Sequence, residues 1–189
     1  MGCTQSVTYA KDTYDRDPNS SLRAKRVKRF KNPQPDLTEH EIQIIKSTWH
    51  YMTHDLAGNG LQIFLKIFEL CPDTKSIFHV ENVRHSELAK HKVIRAHGVR
   101  FMNAISAAIY CLRENIEEKD KIDAFLINLG QKHKQASEFK AEYFEIFHEA
   151  LMWRWRICIG KGFTQEVSDT WNRVFVYMLE KINQGYHLQ

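Results

Sequence analysis

Glycine and proline are scarce in this chain, eight and four in 189 residues, and that argues against a fold of many short strands, which needs turn residues at every reversal. Cysteine is sparse too. Cys3, Cys71, Cys111 and Cys158 lie far apart with no C-x-x-C spacing, so neither a structural zinc site nor a small disulfide scaffold is indicated. Reduced thiols in the cytosol are the default, with a Cys71–Cys111 bridge left open. No apolar run approaches the roughly 20 residues of a membrane-spanning helix. No apolar signal-peptide core follows Met1, so neither threading through a membrane nor export by that route is expected.

What the chain does have is ample core material, 43% hydrophobic and 12% aromatic residues, enough for one domain of ordinary size plus a tail. The net charge of +4 is modest, but much of it falls in one run, Arg23, Lys25, Arg26, Lys28, Arg29 and Lys31. A local basic segment attracts anionic surfaces. Because this run sits in a tail, no nucleic-acid partner is expected; otherwise it is simply a solvated stretch.

Residues 1–36 show no sustained apolar period and end in Asn32-Pro33-Gln34-Pro35, the pattern of a disordered tail and linker. The tail opens Met1-Gly2-Cys3-Thr4-Gln5-Ser6, which fits the M-G-x-x-x-[ST] pattern for myristate on Gly2, and Cys3 beside it is placed to take palmitate. One myristoyl chain binds a bilayer only marginally, with an association constant of about 10⁴ M⁻¹, so a stable anchor needs a second signal. Cys3 and the basic run each supply one. These features predict a chain held at the anionic inner leaflet, on the cytoplasmic face of the plasma membrane, and cytoplasmic if unacylated.

From residue 37 to 185 the pattern is helical, and 186–189 form a short C-terminal tail. Thr38-Glu39-His40-Glu41 is a capping box that opens a helix carrying Ile42, Ile45 and Trp49 on one stripe. A second segment, starting at Leu61, aligns Leu61, Phe64, Leu65 and Phe68 and stops at Cys71-Pro72, because proline opens a turn but does not continue a helix. Segments at about 86–112, 119–136, 139–159 and 164–184 repeat a period near 3.6. Thr164 caps the last, where Val167, Trp171, Val174, Phe175 and Met178 face inward. The expectation is an all-α domain of six to eight helices.

Two of the ten histidines fall on apolar stripes. Val93, His97, Phe101, Ala104 and Ala108 share one face by helical spacing, whereas His91, about 240° away around the helix, is expected to face outward. Ile122, Leu126, Leu129, His133 and Ala136 form the second stripe. A buried imidazole has two ring nitrogens to satisfy, and leaving a polar group unpaired costs about 1–3 kcal/mol. A metal would satisfy one nitrogen of His133, and the Leu129 carbonyl one turn earlier would accept from the other. Spacing alone leaves two readings open: ordinary hydrogen-bonded core histidines, or ligands to zinc, copper or iron.

Taken in order, these residues resemble the globin family over nearly all of 37–185. Trp49 lies where globins carry a first-helix tryptophan, and Pro72 followed by Phe78 resembles the turn before the haem-stacking phenylalanine. His97-Gly98-Val99 resembles the distal segment of the E helix. Leu129-Gly130-Gln131-Lys132-His133 resembles the proximal segment, most closely that of neuroglobin. With the Met1-Gly2-Cys3 start and the basic tail, the chain is most similar to the membrane-attached, neuroglobin-type animal globins called globin X.

The resemblance implies a three-on-three helical sandwich around haem b, with His133 as the proximal and His97 as the distal iron ligand. It implies that Phe78 stacks on the ring, that Phe64, Phe101, Phe144 and Phe147 line the pocket, that Leu129 sits in the proximal wall, and that Arg100 reaches a haem propionate. Phe101 replaces the common distal valine, and the stretch from 112 to 122 is longer than in short globins. The implied ligands are dioxygen, carbon monoxide and nitric oxide, with a reductase as partner. A six-coordinate iron suits redox protection or signalling; the alternatives are dioxygen transport or storage, an enzyme reducing nitrite or oxidising nitric oxide, and a haem-free acylated helical adaptor.

Overall fold

A computed structural model describes residues 37–114 and 119–188; Gly2, Cys3, the basic run and the expected tail lie outside them, as do residues 115–118 of the long connection. Among the described residues seven α-helices and two 3₁₀ segments account for the secondary structure, with no strand. They are α1 (Glu39–Thr53), α2 (Leu56–Leu70), a 3₁₀ segment (Pro72–Phe78), α3 (His85–Leu88), α4 (Lys92–Glu114), α5 (Lys119–Lys134), α6 (Tyr143–Ile159), a 3₁₀ turn (Gly160–Gly162) and α7 (Gln165–His187). No described helix is long and apolar enough to cross a membrane.

The start of α1 is made as expected. The Thr38 hydroxyl accepts from the Glu41 backbone N–H at 3.2 Å, and the Glu41 carboxylate accepts from the Thr38 N–H at 2.9 Å. Burial would push the Glu41 carboxyl up, but the Thr38 hydrogen bonds and the neighbouring Arg173 guanidinium outweigh it and hold the group below its ordinary value. Thr164 likewise caps α7 by accepting from Val167 N–H at 3.3 Å.

Several boundaries differ from the sequence expectation. Helix α2 begins at Leu56 rather than Leu61 because the Asp55 carboxylate caps it, accepting from Gly58 N–H at 2.8 Å. The expected 86–112 helix is broken at 89–91, where Lys90 and His91 donate to Glu87 and Leu88, three residues back; apolar spacing alone does not separate a tight turn from a continuous helix. Helix α7 runs on to His187. There the Tyr186 ring packs at a tilt against Phe139, with centroids 5.9 Å apart, and its hydroxyl donates to the Phe139 carbonyl.

Helices α1, α4 and α5 form one layer against α2, α6 and α7, with α4 crossing α2 and α5 crossing α7. Both crossings are made through glycine. A Cβ built on Gly60 would stand 2.3 Å from the Gly98 carbonyl oxygen, and one on Gly130 or Gly185 would stand 1.9 Å from the backbone oxygen of Ile182 or Ile127 respectively. At the far end of the core Trp49, Trp155 and Trp171 pack together with centroids 5.3–6.0 Å apart. The Trp171 indole donates to Thr48 Oγ1 at 2.9 Å.

Cys71 and Cys111 are not bridged to each other, since Cys111 takes part in no disulfide; Cys158 is a free thiol. The inward stripe of α4 is also turned by one position from the one expected. Ile94, Gly98, Met102, Ile105 and Ile109 are buried, whereas Val93 is 48% exposed. The physical reason is the Gly98 crossing: the closest helix contact dictates which face turns in, and it places His97, Phe101 and Ala104 on the flank of the buried stripe.

Candidate functional site

Two helices carry the site. His97 projects from α4 directly beside the Gly60–Gly98 crossing, and His133 projects from the last turn of α5, three residues past the Gly130 crossing. Both rings are half-buried, and they stand near enough that a charge on His133 would be felt at His97.

Between them runs a continuous set of aromatic rings. His97 meets the edge of Phe64 and of Phe78, each with centroids 5.0 Å apart. Phe64 contacts Phe101 at 5.5 Å and Phe147 at 5.8 Å. Phe147 contacts Phe139 at 6.3 Å, and Phe139 packs on His133 at 4.8 Å. Phe144 completes the proximal side, 6.1 Å from the His133 ring. Phe64, Phe78, Phe101, Phe144 and Phe147, named from the sequence, are thus brought together with both histidines.

Phe139 was missed. It lies in the turn between α5 and α6, where Phe139 N–H donates to Ala136; read as the first residue of a helix, it gave no sign of folding back onto His133. The signal available was its size and its position six residues past that histidine. His91 also differs from expectation: it precedes α4, is half-buried, and has a buried Nδ1 with no hydrogen-bond partner among the described residues.

The electrostatics hold both site imidazoles neutral. Burial lowers the pKa of His97 to about 4, with smaller contributions from the Arg100 guanidinium and from His133. Burial likewise lowers that of His133, against the opposing effect of its bond to Leu129. His133 Nδ1 lies 2.8 Å from the Leu129 carbonyl oxygen. A carbonyl only accepts, so the proton sits on Nδ1 and the lone pair on Nε2. Metal-bound histidines are held in this way, with the outer N–H on a backbone carbonyl. Arg100 does not extend away from the site. Its Nη2 lies 3.2 Å from His97 Nδ1.

Among the described residues no three or more His, Cys, Asp or Glu side chains gather as a metal cage. Two neutral imidazoles on neighbouring helices, walled by phenylalanine, fit instead an iron whose equatorial positions are filled by its own macrocycle. The donor set present therefore fits haem.

An all-helical sandwich with an imidazole on each of two facing helices and an aromatic wall between them defines the class of haem-pocket helical proteins. The chain belongs to the globin family: the Globin family model matches residues 61–182. It is similar to neuroglobin-1 of Oncorhynchus mykiss, 24% identical over 152 residues that cover 79% of this chain and 92% of the relative. It is also similar to cytoglobin-2 of Danio rerio, 28% identical over 158 residues covering 82% and 84%. Its fold resembles that of a hexacoordinated heme protein from an anhydrobiotic tardigrade, with a TM-score of 0.75 at 20% identity over 83% of this chain and 99% of that one.

Proposed function

We propose that this globin carries haem b with His133 as the proximal and His97 as the distal axial ligand, and that diatomic gases compete with His97 for the iron. The observation that carries this reading is the pair of neutral imidazoles on α4 and α5, one of which, His133, presents its Nε2 lone pair. The hexacoordinated heme protein that shares the fold supports it by analogy. When bound, the haem supplies reversible gas binding and one-electron chemistry. The protein's part is to hold His133 by the Leu129 carbonyl, to keep both rings unprotonated and to exclude water with Phe64, Phe78, Phe101 and Phe147.

An internal competitor lowers the apparent affinity for any external ligand by the fraction of time His97 is displaced. That favours redox protection or signalling, with electrons from a reductase, over bulk dioxygen supply. Attachment to the cytoplasmic face of the plasma membrane rests on the sequence alone: myristate on Gly2, palmitate on Cys3 and the basic run, two or more signals where one is insufficient.

The visible spectrum of the ferrous protein tests the ligand set. Sharp, split bands that collapse to one broad band in His97→Leu are expected, and a broad band in the unaltered protein would remove the bis-histidyl assignment. His133→Ala is expected to lose stoichiometric haem. Gly2→Ala is expected to release the protein from cell membranes; undiminished retention at equal expression would end the acylation reading. Fast catalytic turnover of nitrite, sensitive to His97, would instead move the protein to the enzyme class.

A further inference from the structure

We propose that Arg100 is a positioning residue that sets the tautomer of His97, and through it the balance between a distal imidazole that ligates iron and one that donates a hydrogen bond. The inference rests on the haem-binding reading above, but its first observation is independent of iron.

A guanidinium has five N–H donors, no acceptor, and stays protonated. The 3.2 Å contact between Arg100 Nη2 and His97 Nδ1 therefore runs one way only, from arginine to histidine. Nδ1 must offer its lone pair, and the single proton of the neutral ring is then on Nε2. His133 is the mirror image. Its Nδ1 faces the Leu129 oxygen at 2.8 Å, an acceptor, so the proton is on Nδ1 and Nε2 is bare. The two rings are therefore not equivalent: His133 is held in the ligating tautomer and His97 in the donating one.

For Nε2 of His97 to ligate, its proton must leave to water while another arrives from water at Nδ1. The ring stays neutral throughout. With a proton on Nδ1, two N–H groups would face each other across the Arg100 contact, so the guanidinium has to swing away. Arg100 is solvent-exposed, which leaves it free to do so at the loss of one charge-assisted hydrogen bond. With Arg100 in place, the Nε2–H of His97 is set to donate to a diatomic ligand on the distal side. With Arg100 away, His97 is free to take the position itself. The same side chain that the resemblance assigns to a propionate thus acts on the distal histidine.

The test compares the full-length protein with Arg100→Leu, which removes the donor, and Arg100→Lys, which keeps a donor-only cation. Nitrogen–proton NMR of the chain without added haem reads the tautomer directly. The Nε2–H form of His97 is expected in the unaltered chain and a mixture in Arg100→Leu; the Nδ1–H form in the unaltered chain would overturn the proposal whether or not haem binds. In the haem-loaded ferrous protein, Arg100→Leu is expected to raise the ratio of six- to five-coordinate iron, and to lower the apparent carbon monoxide affinity, by about tenfold, the low end for one hydrogen bond to a charged group. The C–O stretch of the carbon monoxide adduct is expected to move to higher wavenumber as the Nε2–H donor is lost, with Arg100→Lys in between. Faster haem loss in Arg100→Leu, with an unchanged coordination ratio and C–O stretch, would overturn the proposal and leave Arg100 as a propionate partner. Failure to bind haem at all, with the expected tautomer present, would overturn the functional reading instead.

Discussion

Gly98 crosses Gly60 so closely that a Cβ on Gly60 would stand 2.3 Å from the Gly98 carbonyl oxygen, and His97 is the residue immediately before that contact. His133 follows the second such crossing, at Gly130, by three residues. Each site imidazole therefore sits within one turn of a point where backbone meets backbone, and where an added Cβ would force the two helices apart. Substituting alanine at Gly60 or Gly130 is expected to destabilise the fold by about 1–3 kcal/mol, the usual range for overpacking a closed contact. The two substitutions should differ in their spectra. Gly60→Ala should disturb the distal side, and Gly130→Ala should weaken haem retention through His133. Denaturant unfolding and haem transfer measured on both variants check this.

Phe139 packs on His133, Phe144, Phe147 and Tyr186 at once, with centroids 4.8–6.3 Å apart, and is 6% exposed. Phe139→Ala is expected to cost about 3–5 kcal/mol and to speed haem loss by freeing the His133 ring. Phe139→Leu should recover most of the stability. Unchanged haem loss in Phe139→Ala, despite the lost stability, would show that the ring supports the fold alone and leaves the ligand unaffected.

Asn59 is 3% exposed and joins two helices through its side chain. Its amide donates to the Met52 carbonyl at 2.8 Å, and its oxygen accepts from Arg154 Nε and Nη2 at 2.9 and 2.8 Å and from the Cys158 thiol at 3.3 Å. Asn59→Leu strands these partners, at about 1–3 kcal/mol for a buried group left unpaired. The same substitution should make Cys158 react faster with thiol reagents, since it loses a partner as well as local packing. Unfolding free energy and thiol modification rate are the two readouts.

Tyr177 on α7 donates its hydroxyl to Asp123 on α5, which also accepts from Lys181 at 2.5 Å. Burial, then the Asp123 carboxylate, pushes the Tyr177 hydroxyl well above the ordinary tyrosine range. The folded state therefore keeps a proton that the unfolded chain gives up near pH 10, so stability is complete below that pH and falls as pH rises through it. The slope contributed by this one group reaches at most about 1.4 kcal/mol per pH unit. Tyr177→Phe should remove that slope while lowering stability at neutral pH, as seen in unfolding curves between pH 8 and 11.

Much of this molecule was legible in order along the chain. The capping box at Thr38, the stop at Pro72, the α7 stripe of Val167, Trp171, Val174, Phe175 and Met178, and the inward lean of His97 and His133 all follow from local rules of period and end-capping. Those rules act within a turn or two, and so they are written in neighbouring residues. They failed where a distant partner decides the outcome. The rotation of α4 that exposes Val93 is set by Gly60 on another helix, and Phe139 reaches the site only because a turn folds it back between α5 and α6. The two histidines looked alike by spacing. What separates them is one hydrogen bond each, to a carbonyl oxygen for His133 and from a guanidinium for His97. The first partner lies one turn back on the same helix and was foreseeable. The second depended on where an exposed arginine folds once the site has formed around it, and only the tertiary structure decided that.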